Sequence, residues 1–229
     1  MSDNSQENLQ KEQSDKVQIE KILETGGVTA RGEDFTIHFL TIAGQIEGHA
    51  VLPTETKTTK YEQIIPLLAA VEESKEINGL LLLINTIGGD VEAGLAMAEL
   101  IATMNKPTVS LVLGGGHSIG IPLAVAAKTS FIVPSATMTI HPVRISGLVL
   151  GVNQSFRALQ KMQERITNFI ITHSNIKKET FESFLTRTDE IAADTGSLLD
   201  GRSAVECGLI DHLGGLSAAI SELRRLAGK

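Results

Sequence analysis

The feature that most constrains the fold of this chain is an apolar run at residues 79–86, with the sequence GLLLLINT. An extended segment with leucines on both faces leaves no face for water, so it must lie inside a covered sheet. The segments at 61–76 and 91–104 carry apolar residues at three- and four-residue spacing, which is typical of helices that cover such a sheet. We therefore expect a largely parallel sheet with helices packed on it.

The same alternation continues along the chain. Strands are predicted at 35–44, 107–113, 130–134 and 137–141, a short helix at 120–127, and a long helix over 153–173. Strands that alternate with helices indicate an α/β domain. No comparable strand follows the long helix, so the pattern leaves open whether it packs on another subunit or closes its own domain.

The first 33 residues differ in composition from the rest. They are polar, rich in Gln, Glu, Lys and Ser, and end in glycines, which predicts a mobile tail before a single domain at 34–229. They contain neither a basic start nor an apolar stretch of signal-peptide length, so a cytoplasmic location is expected. The uncharged stretch 107–127 is long enough to span a membrane, but its glycines and Pro122 fit a buried strand, turn and helix better.

Charge and cysteine content exclude several classes of function. The net charge of -7 repels polyphosphate, which argues against DNA and RNA as partners. The single cysteine, Cys207, cannot form an intrachain disulfide. Six histidines lack metal-binding spacing such as H-E-x-x-H, so no metal and no other cofactor are expected.

Three elements are candidates for chemistry. The first places Ser118 on a glycine-rich turn (GGGHSIG) between a buried strand and a buried helix, where peptide N–H groups can face an oxyanion. The same five-residue pattern also fits a serine that caps a helix. The second places Gly88 and Gly89 at the end of an internal strand, where open α/β sheets concentrate ligand sites. The third is His141, for which alternation does not decide between a core and a cleft position.

In this order, the three elements resemble the ClpP family of serine peptidases. INTIGG is similar to that family's INSPGG, GGGHSIG to its serine turn, and TIHP to its M-I-H-Q-P stretch. AGQIEGH (43–49) and LDGRSAVECGLID (199–211) are similar to two further family segments, so the resemblance covers about residues 35–213. Within the family, the chain looks most like the ClpP-like, or translocation-enhancing, proteins of spore-forming bacteria.

The resemblance implies a ClpP/crotonase-like fold of repeated ββα units with a protruding long helix, the handle. It implies a serine endopeptidase that acts on peptides or small or unfolded proteins inside a homo-oligomeric ring, a heptamer or stacked rings. The first 34 residues do not resemble the family's axial-loop segment, so a hexameric ATPase unfoldase is not an expected partner. The subfamily suggests a role in sporulation or germination.

Site roles also follow from the resemblance. Ser118 matches the nucleophile and His141 the general base, while the peptide N–H groups of Gly89 and Ile119 match the oxyanion hole.

The triad acid is harder to match. The ungapped position is Gly196, so a two-residue insertion is needed to reach Asp194, and Asp189 and Asp200 are alternatives. His117 stands where the family has a small residue, and Thr86-Ile87 where it has Ser-Pro, so substrate selection is expected to differ.

Three other functions fit parts of the pattern. An α/β-hydrolase esterase would use Ser118, Asp189 or Asp194, and His212 in that chain order. A crotonase-type enzyme would hold a thioester enolate on the two glycine turns and would not need Ser118. A catalytically idle assembly subunit would keep the fold alone.

Overall fold

The computed structural model describes residues 26–145, 151–189 and 195–229. Within them lie the strands β1 (Gly27–Arg31), β2 (Thr36–Glu47), β3 (Thr58–Lys60), β4 (Gly79–Gly89), β5 (Thr108–Gly116), β6 (Thr129–Ile132), β7 (Thr137–Ile140), β8 (Ser197–Asp200) and β9 (His212–Leu213). The helices are α1 (Tyr61–Glu73), α2 (Val91–Thr103), α3 (Gly120–Val125), α4 (Val152–Thr172), α5 (Lys178–Leu185), α6 (Gly201–Glu206) and α7 (Leu216–Leu226). The α/β class predicted from the sequence is confirmed.

The main sheet is parallel except at one edge. Its strand order is β1-β2-β4-β5-β6-β9, and β1 alone on this path is antiparallel to its neighbour. The apolar strand β4 lies between β2 and β5, and Leu80, Leu81 and Leu82 are fully buried. The prediction that residues 79–86 form an internal strand is confirmed.

Side chains of β4 alternate between two apolar clusters on opposite faces of the sheet. Leu80 and Leu82 belong to the larger cluster, which includes buried residues of α1, α2 and α3. Leu81 belongs to the smaller cluster, which Leu223 of α7 covers. The two-residue period of an extended strand therefore explains why both faces need helices.

A small second sheet brings the end of β7 to the carboxyl ends of β4 and β5. β7 meets β5 at a single bridge between Thr137 and Gly115, and it pairs antiparallel with β8, where Ile140 lies opposite Ser197. His141 follows directly after β7. The carboxyl edge of the parallel strands, where α/β folds hold their ligands, therefore also holds this histidine.

The long helix predicted over 153–173 is present as α4. Its buried residues, Thr167, Phe169 and Ile170, lie in its last two turns. Near its start, Val152 and Phe156 are 76% and 60% exposed. Among the helices of the described ranges, none is both long and apolar enough to cross a membrane.

Strand β1 lies in the stretch that the sequence analysis assigned to the tail. It pairs with the first residues of β2, and all but its first residue are exposed. An exposed edge strand of this kind shows no clear apolar alternation, which is why its pattern was not recognised. Residues 1–25, the rest of the predicted tail, lie outside the described residues.

The burial of His38 under β1 makes stability depend on pH. Its Nδ1 atom is 2.9 Å from the Thr29 hydroxyl, and its buried Nε2 atom has no hydrogen-bond partner within the described parts of the chain. Burial lowers the pKa of His38 from its ordinary value of 6.5. The folded protein thus prefers the neutral ring, and the unfolded chain takes up the proton first as pH falls.

We predict that the free energy of unfolding is fully retained above pH 6.5 and decreases as pH falls through the lower folded-state pKa of His38. In His38→Phe, which cannot be protonated, this loss should be smaller. Urea denaturation of both proteins at about pH 8 and about pH 5 measures it. An identical loss in the two proteins would show that His38 does not cause it.

Candidate active site

The turn that carries Ser118 has an unusual backbone. β5 ends at Gly116, Ile119 is the N-cap of α3, and Ser118 between them has a φ of 55°. Among the residues described, it is the one non-glycine residue with a positive φ. That conformation costs an L-residue about 1–2 kcal/mol, so it persists only where the surroundings hold it, and such residues cluster at functional sites.

On one side, the turn is held by Thr86 of β4. The carbonyl oxygen of Thr86 accepts a hydrogen bond from the His117 N–H at 3.1 Å. The Thr86 hydroxyl donates to the Gly44 carbonyl at 2.6 Å and accepts from the Gly88 N–H at 3.0 Å. One buried threonine therefore ties the serine turn and the glycine turn to the central sheet.

On the other side, the turn is held by β7. The N–H of Ser118 donates to the carbonyl of Thr139 at 2.9 Å. Thr139 lies in β7, two residues before His141. The nucleophile candidate and the base candidate are thus connected through one hydrogen-bonded strand.

The glycine turn requires glycine for two reasons. Gly88 and Gly89 have φ values of 90° and 151°, which side chains disfavour. A Cβ atom on Gly88 would also lie 2.7 Å from the Cβ atom of Ser118 and 2.9 Å from the carbonyl oxygen of His117. The absence of a side chain at this position lets the two turns touch.

Ser118, His141, Gly89 and Ile119 line one cavity of about 130 Å³. The structure thus brings together four of the five residues that the sequence predicted for the site. The remaining lining is mainly apolar and includes Ile121, Val143, Ile166, Ile170, Phe181 and Leu185. A hydroxyl and an imidazole therefore share an apolar cavity with the two residues expected to form an oxyanion hole, as acyl transfer requires.

The ring of His141 is oriented by its own neighbour. Its Nδ1 atom is 2.7 Å from the carbonyl oxygen of Pro142. Because a carbonyl oxygen only accepts, Nδ1 carries a proton, and in the neutral ring the lone pair is on Nε2. The tautomer is therefore the one that a general base at Nε2 needs.

Neither alternative acid reaches the cavity. Asp200 accepts the Ser203 N–H at 2.8 Å as the N-cap of α6, and that hydrogen bond lowers the pKa of Asp200. Asp189 is exposed and lies 3.4 Å from Arg187. Asp194, the residue predicted for the acid, lies outside the described residues.

The histidine of the esterase alternative is elsewhere. His212 lies on β9, where its ring centroid is 5.1 Å from that of Phe131, and it does not line the Ser118 cavity. In residues 26–145, 151–189 and 195–229, no three His, Cys, Asp or Glu side chains are grouped so as to hold a metal ion.

Gln163 is a cavity residue that the sequence analysis missed. Its Oε1 atom accepts the Val143 N–H at 2.9 Å, and its Nε2 atom donates to the Thr167 hydroxyl at 3.2 Å. It lies three residues before Ile166 and seven before Ile170, so it shares their face of α4. That spacing was visible, but nothing in the sequence indicated that this face lines a cleft.

Comparison with known proteins shows the family of this chain. A family model described as Clp protease matches residues 36–215. The chain belongs to the Clp protease family. It is 54% identical over 212 residues to the translocation-enhancing protein TepA of Halalkalibacterium halodurans, an alignment that covers 92% of this chain and 83% of that protein.

More distant Clp protease family members match a shorter part. Identity to the ATP-dependent Clp protease proteolytic subunit 1 of Chlamydia abortus is 28% over 131 residues, 53% of this chain and 68% of that protein. The same subunit of Chlamydia muridarum is 27% identical over 140 residues, 58% of this chain and 69% of that protein. The family resemblance inferred from the motifs is confirmed.

We predict that Gly88→Ala destabilises the protein by about 2–4 kcal/mol and disrupts the serine turn, because the added Cβ collides with Ser118. Gly228→Ala is the matched control: its φ of 74° is also left-handed, but a Cβ there meets nothing within 4 Å. The control should cost only about 1 kcal/mol of backbone strain. Urea denaturation measures both, and equal losses would contradict the close approach.

Proposed function

We propose that this chain is a serine endopeptidase that hydrolyses peptide bonds of peptides and of small or unfolded proteins. The observation that carries the proposal is the strained backbone of Ser118 at a cavity that it shares with His141. The fold alone would not require either feature. A strained serine next to an imidazole is the arrangement that nucleophilic catalysis uses.

In the proposed reaction, the Ser118 oxygen attacks the carbonyl carbon of the scissile bond, and Nε2 of His141 takes the hydroxyl proton. The N–H groups of Gly89 and Ile119 stabilise the negative charge that develops on the carbonyl oxygen. His141 then gives the proton to the leaving amine. Water hydrolyses the acyl-serine that remains, with His141 again acting as the base.

We assign the acid role to Asp194. Ser197 lies opposite Ile140 in the β7–β8 pair, so the chain enters β8 beside the residue that precedes His141. Asp194 is three residues before Ser197, a distance of about 10 Å at most along the chain. Its carboxylate would stabilise the positive imidazolium, which the neutral Pro142 carbonyl does less well.

The lining of the cavity favours substrates with an apolar side chain next to the scissile bond. Ile121, Val143, Ile166 and Phe181 surround the space beside Ser118. At about 130 Å³ it is smaller than the roughly 300–1,000 Å³ of sites for drug-sized ligands, so it suits a single side chain. Burial of that side chain would position the carbonyl for attack.

Assembly into a homo-oligomeric ring is part of the proposal. Val152 and Phe156 at the start of α4 are exposed apolar side chains, and a second copy of the chain would cover them. The resemblance of the sequence motifs to the translocation-enhancing proteins of spore-forming bacteria is the basis for a proposed role in the cytoplasm during sporulation or germination. Absence of the protein from sporulating and germinating cells would contradict that role.

The proposed triad predicts a pattern of labelling by a fluorophosphonate probe, which reacts with activated serines. The rate should fall on the order of 10⁴-fold or more in Ser118→Ala and His141→Ala, because nucleophile and base act as a unit. Asp194→Asn should lose about 10²- to 10⁴-fold, since the Pro142 carbonyl still holds the tautomer. In-gel fluorescence against time gives each rate.

Two controls define the outcome. Ser217→Ala, at an exposed site on α7, should label at the wild-type rate. His212→Ala should also label normally. Loss of labelling in His212→Ala, together with normal labelling of His141→Ala, would favour the esterase. A folded wild-type protein that neither reacts with the probe nor cleaves peptides would contradict the proposed function. The remaining function would then be that of a catalytically idle assembly subunit.

A further inference from the structure

The ring of His117 makes an unusual pair of contacts with β7. Its Nδ1 atom lies 3.1 Å from the backbone nitrogen of Thr139 and 2.8 Å from the Thr139 hydroxyl oxygen. The neighbouring Ser118 N–H donates to the Thr139 carbonyl at 2.9 Å. These three contacts between residues 117–118 and Thr139 are called the threonine clamp below.

The threonine clamp takes the place of backbone hydrogen bonds that β5 and β7 do not form. β5 and β7 pair only at Gly115 and Thr137, two residues before the clamp on each strand. Beyond that bridge, the His117 side chain supplies the acceptor that a strand carbonyl would otherwise provide. The position of β7 relative to the serine turn thus depends on a side chain.

We propose that His117 is a positioning residue: its Nδ1 atom accepts from Thr139 and so fixes the distance between the Ser118 turn and the strand that leads into His141. This inference rests on the proposed function for its effect on catalysis. Thr139 is only two residues before His141 in the chain, so a shift of Thr139 moves the base relative to the nucleophile. A displacement of about 1 Å is enough to reduce catalysis about 10²-fold.

The clamp requires a neutral ring with its proton on Nε2. A peptide N–H only donates, so Nδ1 of His117 must have a free lone pair to accept it. Protonation of Nδ1 would set two N–H groups against each other and break the contact. The contact between His117 Nδ1 and the Thr139 N–H therefore exists only while Nδ1 is unprotonated.

The surroundings of His117 favour that neutral state. Burial and, second, the charge of the neighbouring His141 lower the pKa of His117 from its ordinary value of 6.5. Two further neighbours of the ring, Gly115 of β5 and Thr139 of β7, are uncharged. The clamp is thus fully present above pH 6.5 and is lost as pH falls through the lower folded-state pKa of His117.

Three variants separate an acceptor role from simple packing. His117→Ala removes the acceptor. His117→Asn keeps one, because the Oδ1 atom of asparagine occupies the place of Nδ1 and is not protonated. His117→Gln carries the same amide one methylene further out and is the matched control for position.

The first readout is the rate of fluorophosphonate labelling across pH. Near pH 8, His117→Ala and His117→Gln should be at least about 10-fold slower than wild type, and His117→Asn within about threefold. As pH falls below 6.5, the ratio of wild type to His117→Asn should decrease, because only the histidine loses its acceptor. A purely structural role would leave that ratio constant.

The second readout does not need activity. Hydrogen exchange at the Thr139 amide, followed by mass spectrometry of peptides that cover residues 137–141, reports the clamp directly. Exchange should be at least about 10-fold faster in His117→Ala than in wild type, and His117→Asn should restore protection. If the Thr139 amide of the wild type is protected as expected but the protein never reacts with the probe, the proposed function is contradicted. The inference that His117 holds Thr139 would still stand.

The inference is overturned by any of three results. These are normal Thr139 protection in His117→Ala, failure of His117→Asn to restore protection in a folded protein, and a labelling ratio that does not change with pH. Normal labelling of His117→Ala alongside lost protection would show that the clamp exists without positioning the base.

Discussion

The site depends on the left-handed backbone of Ser118. A strained conformation of this kind has no stability of its own, and here two threonines hold it, one on each of the strands that flank β5. Thr86 accepts the His117 N–H from β4, and Thr139 accepts the Ser118 N–H from β7. The arrangement places Ser118 where the two sheets meet. This is the carboxyl edge of the parallel strands, where His141 also lies. Removal of either contact would let the turn relax toward an ordinary helix start, with the serine as a cap.

The elements that could be predicted are those with long apolar patterns. β4 was recognisable because four consecutive leucines admit only an internal strand, and α4 because its apolar residues recur over five turns. Most of the missed elements had no such pattern, although α7, whose apolar residues recur at helical spacing, was missed as well. β1 is an exposed edge strand, β9 is two residues long, and α5 buries only Phe181 and Leu185. Their formation depends on partners far away in the chain, which a local window does not contain.

The same division applies to the site. The glycine turns at two strand ends suggested that Ser118 and the Gly88–Gly89 pair line one cleft, and the family motifs gave the roles of Gly89, Ile119 and His141. What the sequence did not contain is geometry that arises from register. The pairing of β7 with β5 decides that Thr139 faces His117, and the orientation of one imidazole decides that the Pro142 carbonyl fixes the tautomer of His141. His117 was noted only as a departure from the family pattern, because its partner is 22 residues away.

The way that α7 closes the sheet has a consequence for folding on the ribosome. Leu223 covers Leu81 on the smaller face, and a Cβ on Gly79 would lie 2.9 Å from it. Until residues 216–226 have been synthesised, that face of the strands is open to water and to other chains. Pairing of β6 with β9 likewise waits for a late segment. The nascent chain must therefore remain unaggregated with an unfinished sheet, the situation in which chaperones protect slow-folding parallel topologies.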